Sequence, residues 1–322
     1  MRVLVTGASG FLGAHLVRSL LRGGDEVVAL VRPGSPRNHL RRIGVELLEG
    51  DLSDPDILEQ GCDSSEAVVH CASLISYWRR QHAQLRRVNV EGTMAVLRAA
   101  ARSGTRRLVH VSSAATVGTT SEPSVLDEST PWSPEGLTST YAATKREAEE
   151  RVLAAAWGGM PALVVNPSLL LGPRLDGLPP SPLVLGIQRG RLPWVPPGGV
   201  SPTDVTDVAD AIARAVHRGR AGERYLLAGS PVSWRRLYET IAENADGRVP
   251  GRDLTARRLQ RRRRLEAWKD RLRLSRPPLT LEAYRNLGTF AWYDSSKAER
   301  ELDYAPRPLA RVVRHAVRRE AP

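Results

Sequence analysis

Residues 3–13 read Val-Leu-Val-Thr-Gly-Ala-Ser-Gly-Phe-Leu-Gly, a short apolar run that breaks into three glycines at Gly7, Gly10 and Gly13. From Phe11 to Leu21 apolar residues recur at helical spacing, so the segment predicts a buried strand, a tight turn and a helix in succession. A glycine turn at a helix N-terminus aims backbone N–H groups at an anion, and the missing side chains let a pyrophosphate come close. The spacing Gly-x-x-Gly-x-x-Gly is one residue longer in its first half than the commonest dinucleotide fingerprint. Ser9, Phe11 and Leu12 lie in the same turn and join the glycines as candidate contacts. The competing reading is a tight turn with a structural role only.

Apolar, β-branched runs near 2–6, 26–31, 45–48, 67–71, 107–112 and 162–166 alternate with helical patterns. Such alternation predicts an α/β fold, a doubly wound parallel sheet whose site lies at the carboxyl ends of its strands. After Pro167 the chain turns proline- and glycine-rich over 172–182. We therefore expect a nucleotide-binding domain over 1–175 and a smaller, mainly substrate-binding domain over 176–322, with a helix near 204–218 returning to the first.

The formal net charge of +12 is concentrated. Residues 248–276 hold twelve basic side chains, eleven of them Arg, against Asp253, Glu266 and Asp270, so nine of the twelve charges belong to one segment. Aromatic residues are not interleaved with these basic ones, which argues against nucleic-acid binding. No run of eighteen apolar residues and no leader pattern is present, so a cytoplasmic protein without a membrane span is expected. Cys62 and Cys71 have no companions at metal-ligand spacing and read as packing thiols; no metal is expected.

The second predicted strand, Glu26–Val31, ends in Arg32, followed by Ser35 and Arg37. A carboxylate at this place would accept bonds from the adenosine ribose and repel a 2′-phosphate. Its replacement by Arg32, with Ser35 and Arg37 as further donors, favours NADP(H), with NAD(H) possible; the alternative is a solvated turn arginine. Asp51, with Leu52, follows the third strand and suits either the adenine amino group or a helix cap before Pro55. Cys71, Ala72 and Ser73 end the fourth strand and are small enough to admit the ribose and pyrophosphate.

Tyr141 and Lys145 are four apart in a segment of helical composition and so project from one face. An ammonium beside a phenol stabilises the phenolate, which predicts a lowered proton affinity for Tyr141. Ser113 ends the strand Arg107–Val111 twenty-eight residues earlier and can share a carbonyl oxygen with that phenol. Two converging hydroxyls stabilise the negative charge that hydride transfer builds on a ketone oxygen. Ser112 is expected to satisfy local backbone groups instead.

Taken together, Thr6–Gly13, Asp51-Leu52, Val88-Asn89-Val90-Glu91-Gly92-Thr93, Ser112-Ser113-Ala114, Tyr141-x-x-x-Lys145 and Tyr293-Asp294-Ser295-Ser296-Lys297-Ala298 resemble the extended short-chain dehydrogenase/reductases of the NAD-dependent epimerase/dehydratase superfamily. The stretch Val165–Pro173 is similar to the dihydroflavonol-reductase-like and 3β-hydroxysteroid-dehydrogenase-like branch. Sugar-nucleotide members usually carry Arg before the proline that is Pro167 here, and a Tyr-Gly pair where this chain has Thr116-Val117-Gly118-Thr119. A hopanoid-associated branch named for sugar epimerases shares many of these motifs. The resemblance implies a Rossmann sheet with Tyr141 as acid/base, Lys145 on the nicotinamide ribose and tuning Tyr141, and Ser113 polarising the substrate oxygen. It also implies that Asn166, Pro167 and Ser168 border the nicotinamide, and that the protein is a monomer or homodimer. Asn89 is either catalytic or a structural hydrogen-bonder between strands.

These readings point to an NADP-dependent reductase of a ketone or aldehyde on a hydrophobic small molecule. The alternatives are an epimerase or dehydratase that returns the hydride within one turnover, and a nucleotide-binding regulator without catalysis. Candidate substrate contacts are Ser73, Tyr77, Ser113 and Trp194, with Trp78 and Trp292 as further aromatic candidates for an apolar cleft. Leu265, Trp268 and Leu272 recur at helical spacing amid arginines, so 254–274 predicts a basic amphipathic helix. It reads as a solvated lid or surface helix, or as a contact with an anionic membrane or an acidic partner.

Overall fold

The computed structural model describes residues 1–132, 139–173, 175, 181–272, 274–275 and 280–317. Most of the proline-rich connection 172–182, where the expected domain boundary falls, lies outside them, as does Arg273.

In chain order the elements are β1 (Arg2–Thr6), α1 (Phe11–Arg22), β2 (Glu26–Val31), α2 (Asn38–Arg42), β3 (Glu46–Glu49), α3 (Pro55–Asp63), β4 (Ala67–His70), α4 (His82–Arg86), α5 (Gly92–Arg102), β5 (Arg107–Val111) and β6 (Val125–Leu126). They continue with α6 (Thr140–Trp157), β7 (Ala162–Pro167), β8 (Leu169–Leu171), α7 (Pro182–Gln188), β9 (Gly199–Val200), β10 (Pro202–Asp204), α8 (Val205–Arg218), β11 (Arg224–Leu227) and β12 (Val232–Ser233). The last are α9 (Trp234–Ala245), α10 (Ala256–Arg271), α11 (Leu281–Asn286), β13 (Phe290–Tyr293), α12 (Ser296–Leu302) and α13 (Leu309–Val317).

Seven strands pair in the order β11-β7-β5-β4-β1-β2-β3, all parallel. Strands buried on both faces need helices on both sides, and the sequence supplies them with continuous apolar runs such as Val3-Leu4-Val5 and Leu163-Val164-Val165. One core lies between the sheet and α1 and α8, the other between the sheet and α3, α5 and α6. Helix α8 docks on α1 through Ser19 and Arg22, whose side chains donate to Asp210 at 2.5 and 2.7 Å.

The seventh strand, β11, comes in addition to the six apolar runs expected to form the sheet. It pairs with β7 after a detour of more than fifty residues, a non-local contact that periodicity cannot reveal. A separate apolar cluster joins α7, α9 and α13 through Ile187, Leu237, Ile241, Val312 and Val313. A smaller one, Leu254, Leu259 and Tyr284 with Trp194 and Leu287, holds α10 against α11.

The sheet reverses its winding between β1 and β4, and the crevice at their carboxyl ends is where open α/β sheets bind ligands. Thr6 closes its floor: its hydroxyl lies 2.7 Å from His70 Nδ1 and accepts from the Ala72 N–H at 3.2 Å. No helix among the described residues is long and apolar enough to cross a membrane.

Candidate active site

The three glycines of the first turn do different work. Gly7 has φ +69°, the left-handed region, and a Cβ there would sit 2.6 Å from the Ala72 nitrogen across the crevice. A Cβ on Gly13 would stand 2.1 Å from the Gly7 carbonyl oxygen, so Gly13 exists to let α1 pack on the turn. Gly10, the N-cap of α1, meets only the Gly7 oxygen at 3.2 Å and leaves its other side open. Leu12 is buried in the core, and the half-buried Phe11 stacks edge-on against His15. Gly13→Ala is expected to cost about 2 kcal/mol of stability through overpacking, read by urea unfolding, and to weaken nucleotide binding with it.

A cavity of about 470 Å³ opens above this turn. It brings together Gly7, Ser9, Gly10, Arg32, Asp51, Leu52, Cys71, Ala72 and Ser73 of the residues named from the sequence. It also recruits Gln84, Val88, Glu91, Ala95 and Arg98, none of them named as a cofactor contact from the sequence, together with Arg87. The first five are spaced along one face of the helical stretch from α4 to α5, a periodicity that could have found them. Burial pushes the Asp51 carboxyl up, but bonds from the Ser53 N–H and hydroxyl and the charges of Arg32 and Arg87 prevail and hold it below its ordinary value. The cap of α3 is Asp54, not Asp51: the Asp54 carboxylate accepts from the Ile57 N–H at 3.3 Å.

Ser35 and Arg37 are not brought to this cavity. The Ser35 N–H closes a turn onto the Arg32 carbonyl at 3.1 Å, and Arg37 pairs with Glu49 at the end of β3. The glycine cradle, the open side of Gly10 and the arginines around Asp51 fit a dinucleotide with its pyrophosphate on α1.

Cys71 links this cavity to the second cluster, because its thiol faces both Lys145 and Tyr141. Tyr141 sits in the first turn of α6, which is capped by Ser139 accepting from the Ala142 N–H at 3.2 Å. Ser113 follows β5; its hydroxyl accepts from the Ala115 N–H at 3.2 Å and lies near the Tyr141 phenol. Burial pushes the phenol up to about 12, while the Ser113 hydroxyl acts in the opposite direction. This corrects the lowered proton affinity expected from the Tyr-Lys spacing. The Lys145 ammonium is committed to the Val111 carbonyl at 2.7 Å, and desolvation outweighs any help it gives the phenolate. Lys145 itself is pulled down to about 8 by burial, with Cys71 and Glu149 acting against that shift.

A buried carboxylate absent from the sequence reading organises the cluster. Glu149 Oε2 accepts from the Ser112 hydroxyl at 2.6 Å, Thr116 at 2.8 Å and Asn166 Nδ2 at 2.7 Å, and Oε1 accepts from Arg224 at 3.1 Å. It thereby ties α6 to the ends of β5 and β7 and to β11. The Ser112 hydroxyl is bound here, not to the backbone, and the Asn166 amide is directed to Glu149, Thr116 and the Ser113 carbonyl. Pro167 pairs with Leu227 in the sheet, and the Ser168 hydroxyl donates to the Ser201 carbonyl. Asn89 is a structural hydrogen-bonder, though not between strands. Its Oδ1 accepts from Ser73 and the Leu74 N–H, and its Nδ2 donates to the Leu74 carbonyl and Thr144 on α6.

Of the aromatic candidates, Tyr77 meets Tyr141 edge-on at 6.4 Å between ring centroids. Trp194 packs instead in the cluster beneath α10, with the Arg262 guanidinium 5.3 Å over its ring. Trp78 donates to the Ser275 carbonyl at 3.0 Å, and Trp292 donates to the Val232 carbonyl at 3.1 Å and stacks on Phe290.

Residues 3–228 match the model of the NAD dependent epimerase/dehydratase family. The chain is 33% identical, over 100% of its length and 97% of the relative's, to the 4-hydroxy-2-methyl-3-oxo-4-farnesyl-3,4-dihydroquinoline-1-oxide ketoreductase of Stigmatella aurantiaca. It is 30% identical, covering 95% of each chain, to the 2-alkyl-3-oxoalkanoate reductase of Stenotrophomonas maltophilia. Among solved structures it is similar to gox2253, with a TM-score of 0.87, 32% identity and coverage of 98% of this chain and 96% of that one. The chain therefore belongs to the NAD-dependent epimerase/dehydratase family of extended short-chain dehydrogenase/reductases.

Proposed function

We propose that the protein is an NADPH-dependent reductase of a ketone or aldehyde carried by a hydrophobic small molecule. The observation that carries this reading is the buried Tyr141 phenol next to the half-buried Ser113 hydroxyl and Cys71, where the nucleotide cavity meets α6. A nicotinamide dinucleotide held in this cavity by the glycine turn and Arg32 would supply the hydride that adds to the carbonyl carbon. Ser113 and Tyr141 hold the carbonyl oxygen, and as negative charge grows there the phenol gives up its proton to it. A phenol pushed up to about 12 is protonated at neutral pH and so stands ready as the acid of a reduction. Lys145, held on the Val111 carbonyl, offsets only part of the negative charge that proton transfer leaves in this cluster, and Glu149 fixes the strand ends around it.

The chain's own arginines support the phosphorylated nucleotide. Arg32, Arg87 and Arg98 line the cavity against Asp51 and Glu91, and no carboxylate ends β2. A hydrophobic substrate accords with Tyr77 against Tyr141 and with the farnesyl and alkyl groups in the relatives' names. The test is a panel of 2-alkyl-3-oxo esters and aryl ketones with NADPH or NADH. Net oxidation of NADPH with formation of an alcohol is expected; turnover without net oxidation of the nucleotide would replace the reading with an internal redox cycle.

The pH dependence follows from Lys145. Burial disfavours its charged form, so the ammonium persists below about pH 8 and is lost as pH rises through that value. At saturating substrate, turnover should be level on the acid side and fall on the alkaline side of about 8. A rate that instead climbs through this window would assign the proton step to another group.

A further inference from the structure

Helix α10 is built inside out. Its inward face carries Leu259, Arg263 and Glu266, and two of these three are charged. Glu266 is 5% exposed and accepts from Lys269 at 2.8 Å and from the Ser275 hydroxyl at 3.2 Å. Arg263 donates to the carbonyls of Tyr284, Arg285 and Leu287, the last at 2.6 Å, and so caps the end of α11. The outward face holds the large apolar side chains: Trp268 is 58% exposed, Leu272 51% and Leu265 43%, and Leu274 just beyond the helix is 58% exposed.

A soluble helix normally buries such a stripe. Here the inward hydrogen bonds fix the helix in the opposite rotation, so the exposed stripe is set by specific contacts and not by a loose fit. Arg257, Arg258, Arg261, Arg264 and Arg271 occupy the same outer half, and none forms an ion pair among the described residues. Elsewhere the surface arginines are commonly paired, as Arg86 is with Glu147, Arg220 with Glu301 and Arg22 with Asp210.

We propose that the outer face of α10 is a docking surface for an anionic lipid bilayer, with Leu265, Trp268 and Leu272 entering the headgroup boundary and the flanking arginines meeting lipid phosphates. An apolar stripe of this width between arginines matches the layered chemistry of that interface, where indole rings are favoured and each basic residue adds to the attraction. Uncharged lipid would leave the arginines unmatched, and an apolar protein partner would desolvate them without counter-charge.

The position of the helix connects this surface to the substrate side. Ser275, just after α10, accepts from Trp78, and Thr280, at the start of α11, donates to the Tyr77 carbonyl at 2.5 Å. Glu282 on α11 accepts from Thr140, next to Tyr141, at 2.6 Å. A docked α10 therefore sets the Tyr77 side of the site against the bilayer, the phase in which an apolar substrate concentrates. The docking claim stands on the helix alone and does not require the proposed reduction.

The test is sedimentation of the full chain with phosphatidylcholine vesicles and with phosphatidylcholine/phosphatidylglycerol vesicles, alongside sedimentation velocity without lipid. Binding to the anionic vesicles only, weakened by salt, is expected. Changing Arg261, Arg264 and Arg271 to Gln should lower the partition coefficient roughly a hundredfold. Trp268→Glu should abolish binding, while thermal melting and turnover of a water-soluble ketone stay unchanged. Equal partition of the parent and the Trp268→Glu variant would overturn the proposal. So would a self-associated species that Trp268→Glu dissolves while the parent ignores anionic vesicles, since the face would then belong to a second copy. Failure of NADPH turnover with intact vesicle binding would count against the proposed reaction and leave the docking surface standing.

Discussion

Tyr141→Phe should lower turnover by about a thousandfold while leaving NADPH affinity within about twofold of the parent, because the change removes one oxygen and its proton and little else. The phenol is buried beside Ser113 and sits where burial pushes it up to about 12, so no solvent group is placed to substitute for it. Phenylalanine fills the same space against Tyr77, which keeps the edge-on ring contact. Rates of nucleotide oxidation with saturating ketone, paired with fluorescence titration of NADPH, separate chemistry from binding. Equal losses in both would mean that Tyr141 positions the nucleotide and does not deliver the proton.

Arg32→Glu should weaken NADPH about a hundredfold and NADH by much less. A charge-assisted bond to a phosphate contributes roughly 1.5–3 kcal/mol, and the new carboxylate adds repulsion to that loss. Glutamate at this place would restore the acceptor that the ribose hydroxyl of NADH uses, so the preference between nucleotides should invert. Arg87 and Arg98 remain in the cavity and set the upper limit of the effect. Dissociation constants for the two nucleotides at one ionic strength measure it, and parallel weakening of both would remove Arg32 from the 2′-phosphate.

What the sequence made legible is what lies close together in the chain. The glycine turn, the parallel strands and the Tyr-Lys face of α6 each depend on a few consecutive residues whose spacing dictates their geometry. The role of Gly13 was only half visible, since its need to be glycine comes from the Gly7 carbonyl, a packing contact and not a ligand. Glu149 escaped notice because a glutamate on a helix is normally solvated. Its importance arises only when Ser112, Thr116, Asn166 and Arg224 converge from three other segments. The direction of the Tyr141 shift is hidden for a related reason: spacing shows the neighbouring ammonium, but not the desolvation or the Val111 carbonyl that engages it. Helix α10 shows the same limit, since its pattern announces an amphipathic helix and leaves open which face turns inward.

Hydride transfer to a carbonyl, with Tyr141 delivering the proton, is tested most directly with NADPH carrying two deuteriums at C4. One deuterium on the alcohol carbon of the product for each NADPH oxidised is expected, with loss of that transfer in Tyr141→Phe. Deuterium that returns to the nucleotide, or a product formed with no NADPH consumed, would contradict it.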